Sequence, residues 1–214
     1  MIVRALRNIV LAARRLRRND EAVAAVEFAL IIPFLITLYF GSIEAAALYT
    51  VDKRIDSISS TIGDLVAQWD PEDGNLTTGT GGTLTDYMNA STGILSPYST
   101  TGLKIVVSFV QVKNDGTTKI WWSKANAAGT VKTGAYADLA ASSNAEMNTV
   151  SRGGCVIAAE VSYSYLPLLG QVFNTALNLK HTNYFLPRFG SVDPIRLDTS
   201  TSTSVPGDAC TKQT

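Results

Sequence analysis

Residues Ala22 to Val51 read AVAAVEFALIIPFLITLYFGSIEAAALYTV, with no Lys or Arg and only two acids, Glu27 and Glu44. At about 1.5 Å per residue, a helix of this length reaches about 45 Å, more than the roughly 30 Å of a bilayer core. A helix apolar on every side has no place on the surface of a soluble domain of this composition. Upstream stand Arg4, Arg7, Arg14, Arg15, Arg17 and Arg18; downstream, Lys53 and Arg54 are accompanied by Asp52 and Asp56. That basic excess predicts a cytoplasmic N-terminus, a single pass, and everything beyond Val51 on the outside. A cleaved secretory signal would have an apolar core of only about 7 to 15 residues, and this run is too long. The arginine pairs do not make a twin-arginine signal either, because an anchor-like stretch follows them.

The net charge of zero hides an asymmetry. Six of the 18 basic residues lie in 1–19, where there is no acid, while residues 23–214 carry the other 12 against 16 acids. A mildly acidic exported portion gives no sign of nucleic-acid binding, and the arginine cluster reads as a topology signal. Cys155 and Cys210 both fall in the exported part, where an oxidising compartment favours a disulfide; the alternative is two unpaired thiols.

Periodicity then predicts the organisation. Residues 1–21 form a basic cytoplasmic leader, in which Ile2, Leu6, Ile9, Val10, Ala13 and Leu16 recur at roughly helical spacing. They suit either an amphipathic helix on the cytoplasmic leaflet or a leader that is removed. Residues 22–51 form the transmembrane helix, with Pro33 expected to kink it without ending it. Across 52–69 the pattern turns amphipathic: Val51, Ile55, Ile58, Ile62, Leu65 and Trp69 on one side, Asp52, Lys53, Asp56, Ser59 and Asp64 on the other. The helix should therefore run on to about Gln68, where Asp70-Pro71 stops it. Residues 70–197 should form an exported α+β head, and 198–214 a Thr- and Ser-rich tail held by Cys210.

Within the head, Leu84 to Leu95 suits a short helix begun by Thr83 or Thr85. Strands are expected at Leu103–Lys113 and Thr117–Lys124, joined by an Asn114-Asp115-Gly116 turn. Val156–Tyr165 is the cleanest strand, and Leu179–Pro187 a final one. Ala125–Gly154 reads as loop with a helix near Ser143–Val150, and Leu168–Leu177 as a short helix or loop. An antiparallel sheet packed on the upper half of the long helix follows.

Little in the sequence carries chemistry. The one histidine, His181, lies on an expected strand with no partner at catalytic or metal spacing, and reads as an ordinary strand residue. Gly79-Thr80-Gly81-Gly82 has neither a preceding strand nor a following Lys, so it is no phosphate loop. Trp121 and Trp122, on adjacent strand positions, should point one into the core and one outward rather than line a groove. No metal, cofactor or catalytic residue is expected. Glu27 is the exception to this blandness. A carboxylate at a bilayer centre costs about 2.5–3.5 kcal/mol, so it is either paired and functional or close enough to the interface to snorkel.

The residues around Glu27 carry a resemblance. Ala22, Val23 and the run to Glu27 and Phe28, behind a basic leader, resemble the processing site of type IV prepilin-like proteins. More narrowly, Glu27, Phe28, Pro33, Phe40, Gly41 and Glu44 match the pattern of TadE/TadG-like proteins, minor pilins of the tight adherence (Tad) pilus system. The match covers roughly residues 15–50. It implies a structural minor pilin or pseudopilin, not an enzyme, in a bacterial inner membrane with a periplasmic head, or outside the cell within a pilus. It also implies other pilins and pilus-assembly proteins as partners, and cleavage by a prepilin peptidase between Ala22 and Val23. Val23 would then be the new terminus and Glu27 the fifth residue, pairing with a neighbour's amine; Ala22 stands where the family has Gly. The rival reading is a membrane-anchored envelope binding domain that never enters a pilus. A membrane-tethered enzyme has no motif behind it.

Overall fold

The computed structural model describes residues 20–78, 83–140, 144–167, 176–189, 194–198 and 210. The leader stretch 1–19, most of the segment expected between Leu168 and Leu177, and all but Cys210 of the tail beyond residue 198 lie outside these. The chain packs as two units, Met1–Ala47 and Leu48–Thr214.

Helix α1, Asp20–Ala67, is continuous through Pro33. Proline removes the donor that would reach the Ala29 carbonyl; one turn on, Thr37 Oγ1 donates back to the Pro33 carbonyl at 2.8 Å. From Val23 to Ala46 the apolar side chains other than Ile32 are exposed, Phe28, Leu30 and Phe34 by 61%, 74% and 68%. This is the one helix among the described residues long and apolar enough to cross a membrane.

From Val51 onward the same helix is a core element. Val51, Ile55, Ile58, Ile62, Val66 and Ala67 are buried, in keeping with the apolar face read from the sequence. Two positions differ from that reading. Ser59 is fully buried, because its hydroxyl donates to the Ala159 carbonyl at 2.7 Å and so satisfies itself inside the interface. Leu65 is only half-buried, and Val66 takes the core position instead. Bonds from the Gln68 and Trp69 amides to the Asp64 and Val66 carbonyls close the helix. Asp70 then caps a 3-10 turn at Pro71–Asp73.

Helix α2, Leu84–Thr92, begins with a capping box: Thr83 accepts from the Asp86 amide, and Asp86 accepts from the Thr83 amide and hydroxyl. A four-stranded antiparallel sheet follows, ordered β2-β1-β3-β4 from β1 (Lys104–Val112), β2 (Thr118–Ala125), β3 (Gly154–Tyr165) and β4 (Leu177–Phe185). The predicted Asn114-Asp115-Gly116 turn joins β1 to β2, with Gly116 at φ +83° and Asp115 accepting from both the amide and hydroxyl of Thr117.

From Val51 onward α1 covers one face of this sheet, with Ser59 and Gly63 over Ala159. Sequence reading missed that the other face is covered too. There Val110, Val112, Ile120, Val156 and Ala158 pack with Tyr136 and Leu139, the latter from α3 (Ala137–Ala140), and with Met147 from α4 (Ala145–Val150). Both faces of β1 and β3 are therefore buried along most of their length. Trp122 is core, stacked on Phe109 at 5.6 Å, and its indole donates to the Ile195 carbonyl at 2.8 Å. Trp121 is the surplus residue where the register slips between Phe109 and Val110, a β-bulge with the Lys119 ammonium 3.5 Å from its ring centre. Trp122 is thus the core residue and Trp121 the outer one of the pair, as expected, although a bulge and not plain alternation separates them.

Candidate functional site

Two sets of residues command chemistry: the carboxylates and small residues of the exposed part of α1, and the charged groups set into the head.

On α1, Glu27 and Phe28 lie on the exposed apolar stretch, Phe28 on the turn before Pro33. Tyr39 and Phe40 meet edge to face at 5.8 Å. Gly41 has no atom within 4 Å of where a Cβ would stand, and Glu44, one turn on, is half-buried. A long apolar surface, one carboxylate near each end, and a small residue where another backbone could approach are features that suit packing against a second helix.

In the head, β4 is pinned along α1 by a polar ladder. His181 Nε2 lies 2.7 Å from Asp52 Oδ1, and its Nδ1 3.6 Å from Asp56 Oδ1. The Asn183 amide donates to Asp56 Oδ1 and Ser60 Oγ, both at 3.0 Å, and Arg188 Nη2 bonds Asp64 Oδ1 at 2.5 Å. His181 is thus more than the plain strand residue expected. A Ser-His-Asp arrangement needs one ring nitrogen for the carboxylate and the other for the nucleophile. Here both face carboxylates, so the ring fastens and does not activate.

On the opposite face, Glu160 is 6% exposed. Its Oε1 accepts from Tyr136 Oη at 2.5 Å and pairs with Lys132 Nζ at 2.6 Å, while Oε2 lies 3.4 Å from Lys180 Nζ. Both lysines also reach Asp138 Oδ2 at 3.4 Å. Burial first, then the hydrogen bond and charge of Glu160, pushes the Tyr136 phenol far up, so it stays a neutral donor. Burial would raise Asp138, but the two ammonium groups outweigh it and hold the carboxyl below its usual value. Two acids, two ammoniums and a phenol satisfy one another in this cluster, which marks a structural network. Sequence reading singled out none of its members, although an acid between Ala159 and Val161 in the most apolar strand was a visible signal.

Cys155, at the start of β3, is bonded to Cys210, as the oxidising-compartment reading expected. Among the described residues no group of three or more His, Cys, Asp or Glu is placed to hold a metal ion.

Comparison with known proteins turns on α1. The model of the TadE-like protein family matches residues 22–60. The chain carries a TadE-like segment. That segment opens at Ala22, includes Glu27, Pro33, Gly41 and Glu44, and ends on the helix that packs in the head, so it takes in both the exposed and the buried stretches of α1. TadE-like proteins are a structural, pilus-associated family, and the match is consistent with a TadE-like pilin of the Tad system. No curated protein and no solved structure matches the chain.

Proposed function

We propose that the chain is a structural minor pilin, or pseudopilin, that takes part in assembling a Tad-type pilus and its secretion apparatus. The observation that carries this reading is the TadE-like match lying on a helix whose first half is apolar and exposed and whose second half is built into a head. The proposed topology is a cytoplasmic N-terminus, one span of the bacterial inner membrane and a periplasmic head, the span being the assembly surface. In this reading a prepilin peptidase cuts after Ala22, and Glu27, fifth from the new amine at Val23, pairs with a neighbouring subunit's terminal amine. Pairing removes the expense of keeping either charge in an apolar surround, and it gives Glu27 a reason to be there.

Glu27→Ala tests this reading. Loss of one member of a buried pair costs about 3–5 kcal/mol, enough to shift an assembly equilibrium by more than two decades. The variant should insert in the membrane at the parent level but fail to co-isolate with other pilins, and mass spectrometry of the parent should find a chain beginning at Val23. A Glu27→Ala protein that assembles like the parent would reduce Glu27 to a tolerated interfacial charge. A full-length parent that co-isolates with no pilus component would favour the anchored binding-domain reading.

A further inference from the structure

The contacts between α1 and β4 fix which end of the head lies where the chain enters it at Leu48. His181 lies against Asp52, Asn183 against Asp56 and Ser60, and Phe185 against Gly63, so β4 and this part of α1 run in the same direction. The start of β4 therefore belongs to the end of the head where the chain enters from its apolar span. Across the sheet, Lys180 pairs with Ser162 and Ser162 with Lys104, which opens β1. Beyond this row β3 and β4 continue together for three more pairs, to Tyr165 and Leu177, a ribbon about 10 Å longer whose inner side is covered, Tyr98 meeting Tyr165 edge to face. At the end of its pairing Leu166 and Leu177 are 44% and 39% exposed. Tyr49, 65% exposed on α1, lies at the same end with the Lys53 ammonium 5.7 Å from its ring centre.

Apolar side chains are exposed at the far end as well, Leu186 and Phe189 among them, so apolarity alone does not distinguish the two ends. Charge differs between them. The far end carries both signs: Glu72, Asp73, Asp115 and Glu146 with Lys113, Arg152 and Arg188. At the near end the exposed charges Lys53 and Lys104 are basic, while Asp52 and Asp56 are partly buried against His181 and Asn183. Exposed leucines, a tyrosine and lysines beside the entry to a span are what a bilayer interface receives.

We propose that this end of the head, through Leu166, Leu177, Tyr49, Lys53 and Lys104, seats on the headgroup layer of an anionic phospholipid bilayer. The inference rests on the membrane-anchor reading and adds a lipid-contacting surface on the head itself. Seating orders the ribbon, and each engaged lysine contributes about fivefold in the surface equilibrium, a contribution that salt screens.

The test is backbone hydrogen exchange, read by mass spectrometry, on the full chain in lipid nanodiscs of phosphatidylcholine alone or mixed with phosphatidylglycerol. Exchange in peptides covering 101–104 and 176–180 should slow about fivefold or more in the anionic discs. High salt should reverse the slowing, and Lys104→Glu and Leu177→Asp should each remove most of it. Exchange in 155–161 of both variants should match the parent, which shows that the head has folded. Equal exchange in the two lipids, with the protein still held in the disc, overturns the proposal and leaves the anchor reading intact. Failure of the chain to enter discs overturns both. Slowing that follows the number of protein copies per disc, whatever the lipid, makes the cover a second copy and also overturns the proposal.

Discussion

Glu160 is the residue at which the head should be most sensitive to a single change. Replacing it with Ala removes the acceptor of Tyr136 Oη, a residue 1% exposed, and the closest partner of Lys132. An orphaned buried hydroxyl costs about 1–3 kcal/mol. Breaking a fully buried ion pair costs about 3–5 kcal/mol, but the side chains of Lys132 and Lys180 are 35% and 53% exposed and recover water, so the ionic part falls well below that range. The sum is about 3 kcal/mol for Glu160→Ala. Glu160→Gln keeps the volume and one acceptor oxygen and should cost about 1–2 kcal/mol, close to Tyr136→Phe, because each removes charge-assisted bonding without opening a cavity.

Thermal unfolding of the full chain in detergent, followed by near-UV circular dichroism, reads these differences directly. At about 2–4 °C per kcal/mol for a domain of this size, Glu160→Ala should lower Tm by about 6–12 °C and the other two variants by about 2–8 °C. Because Tyr136 and Glu160 are in contact, the Tyr136→Phe and Glu160→Gln effects should fall short of adding in the double variant. A Glu160→Ala protein melting within a degree of the parent, or strict additivity in the cycle, would refute the network as a stabilising unit.

Three other outcomes follow from the head. A Cβ at Gly63 would stand 2.4 Å from the Phe185 ring and 3.2 Å from Ala159 Cβ, so Gly63→Ala should destabilise by about 1–2 kcal/mol despite gaining about 1 kcal/mol of helix propensity; adding Phe185→Leu should restore part of the loss in the same melt. Reducing Cys155–Cys210, which are 55 residues apart, releases about 4 kcal/mol of chain-entropy stabilisation and should lower Tm by about 8–16 °C, so a melt unchanged by reductant would count against it. Burial raises the Tyr184 hydroxyl to about 12, and burial of Tyr136 and the acids beside Lys180 act in the same direction. The unfolded chain then releases its protons first, so stability is whole below about pH 10 and falls as pH rises toward 12; Tyr184→Phe should flatten that fall in alkaline denaturation.

Much of the fold could be read because its signals were local and periodic. The apolar run at 22–51, the three-and-four spacing through Ile55, Ile58 and Ile62, and the Asn-Asp-Gly turn each specify an element without help from the rest of the chain. What escaped was set by distant partners. Ser59 reads as solvent-facing until Ala159, 100 residues on, offers its carbonyl. The second layer escaped because Tyr136, Leu139 and Met147 lie in polar, small-residue sequence on two helices too short to show a period. On α1 the motif residues Glu27, Pro33 and Gly41 were legible only as a pattern, because they lie on the exposed half of the helix and not in the core of the head.

The mixed character of the α1–β4 contact explains why the head sits at one place on its helix. Under a one-turn slip, Asp56 would meet His181 and Ser60 would meet Asn183, exchanges that keep a carboxylate or hydroxyl opposite each partner. The polar ladder by itself therefore tolerates a shift of one turn, about 5.4 Å. Gly63 does not. Among residues 48–67 it is the only position without a Cβ, and Phe185 lies where that Cβ would be. A slip of one turn either way brings Ser59 or Ala67 beneath the ring, and Arg188 loses Asp64. The aromatic contact sets the register and the ladder binds it. Gly63→Ala thus loads the register as well as stability: if packing about Gly63 selects it, the variant should weaken the Asp64–Arg188 pair, so that Arg188→Ala costs less in the variant than in the parent. Equal costs of Arg188→Ala in both backgrounds would mean that the ladder alone positions the head.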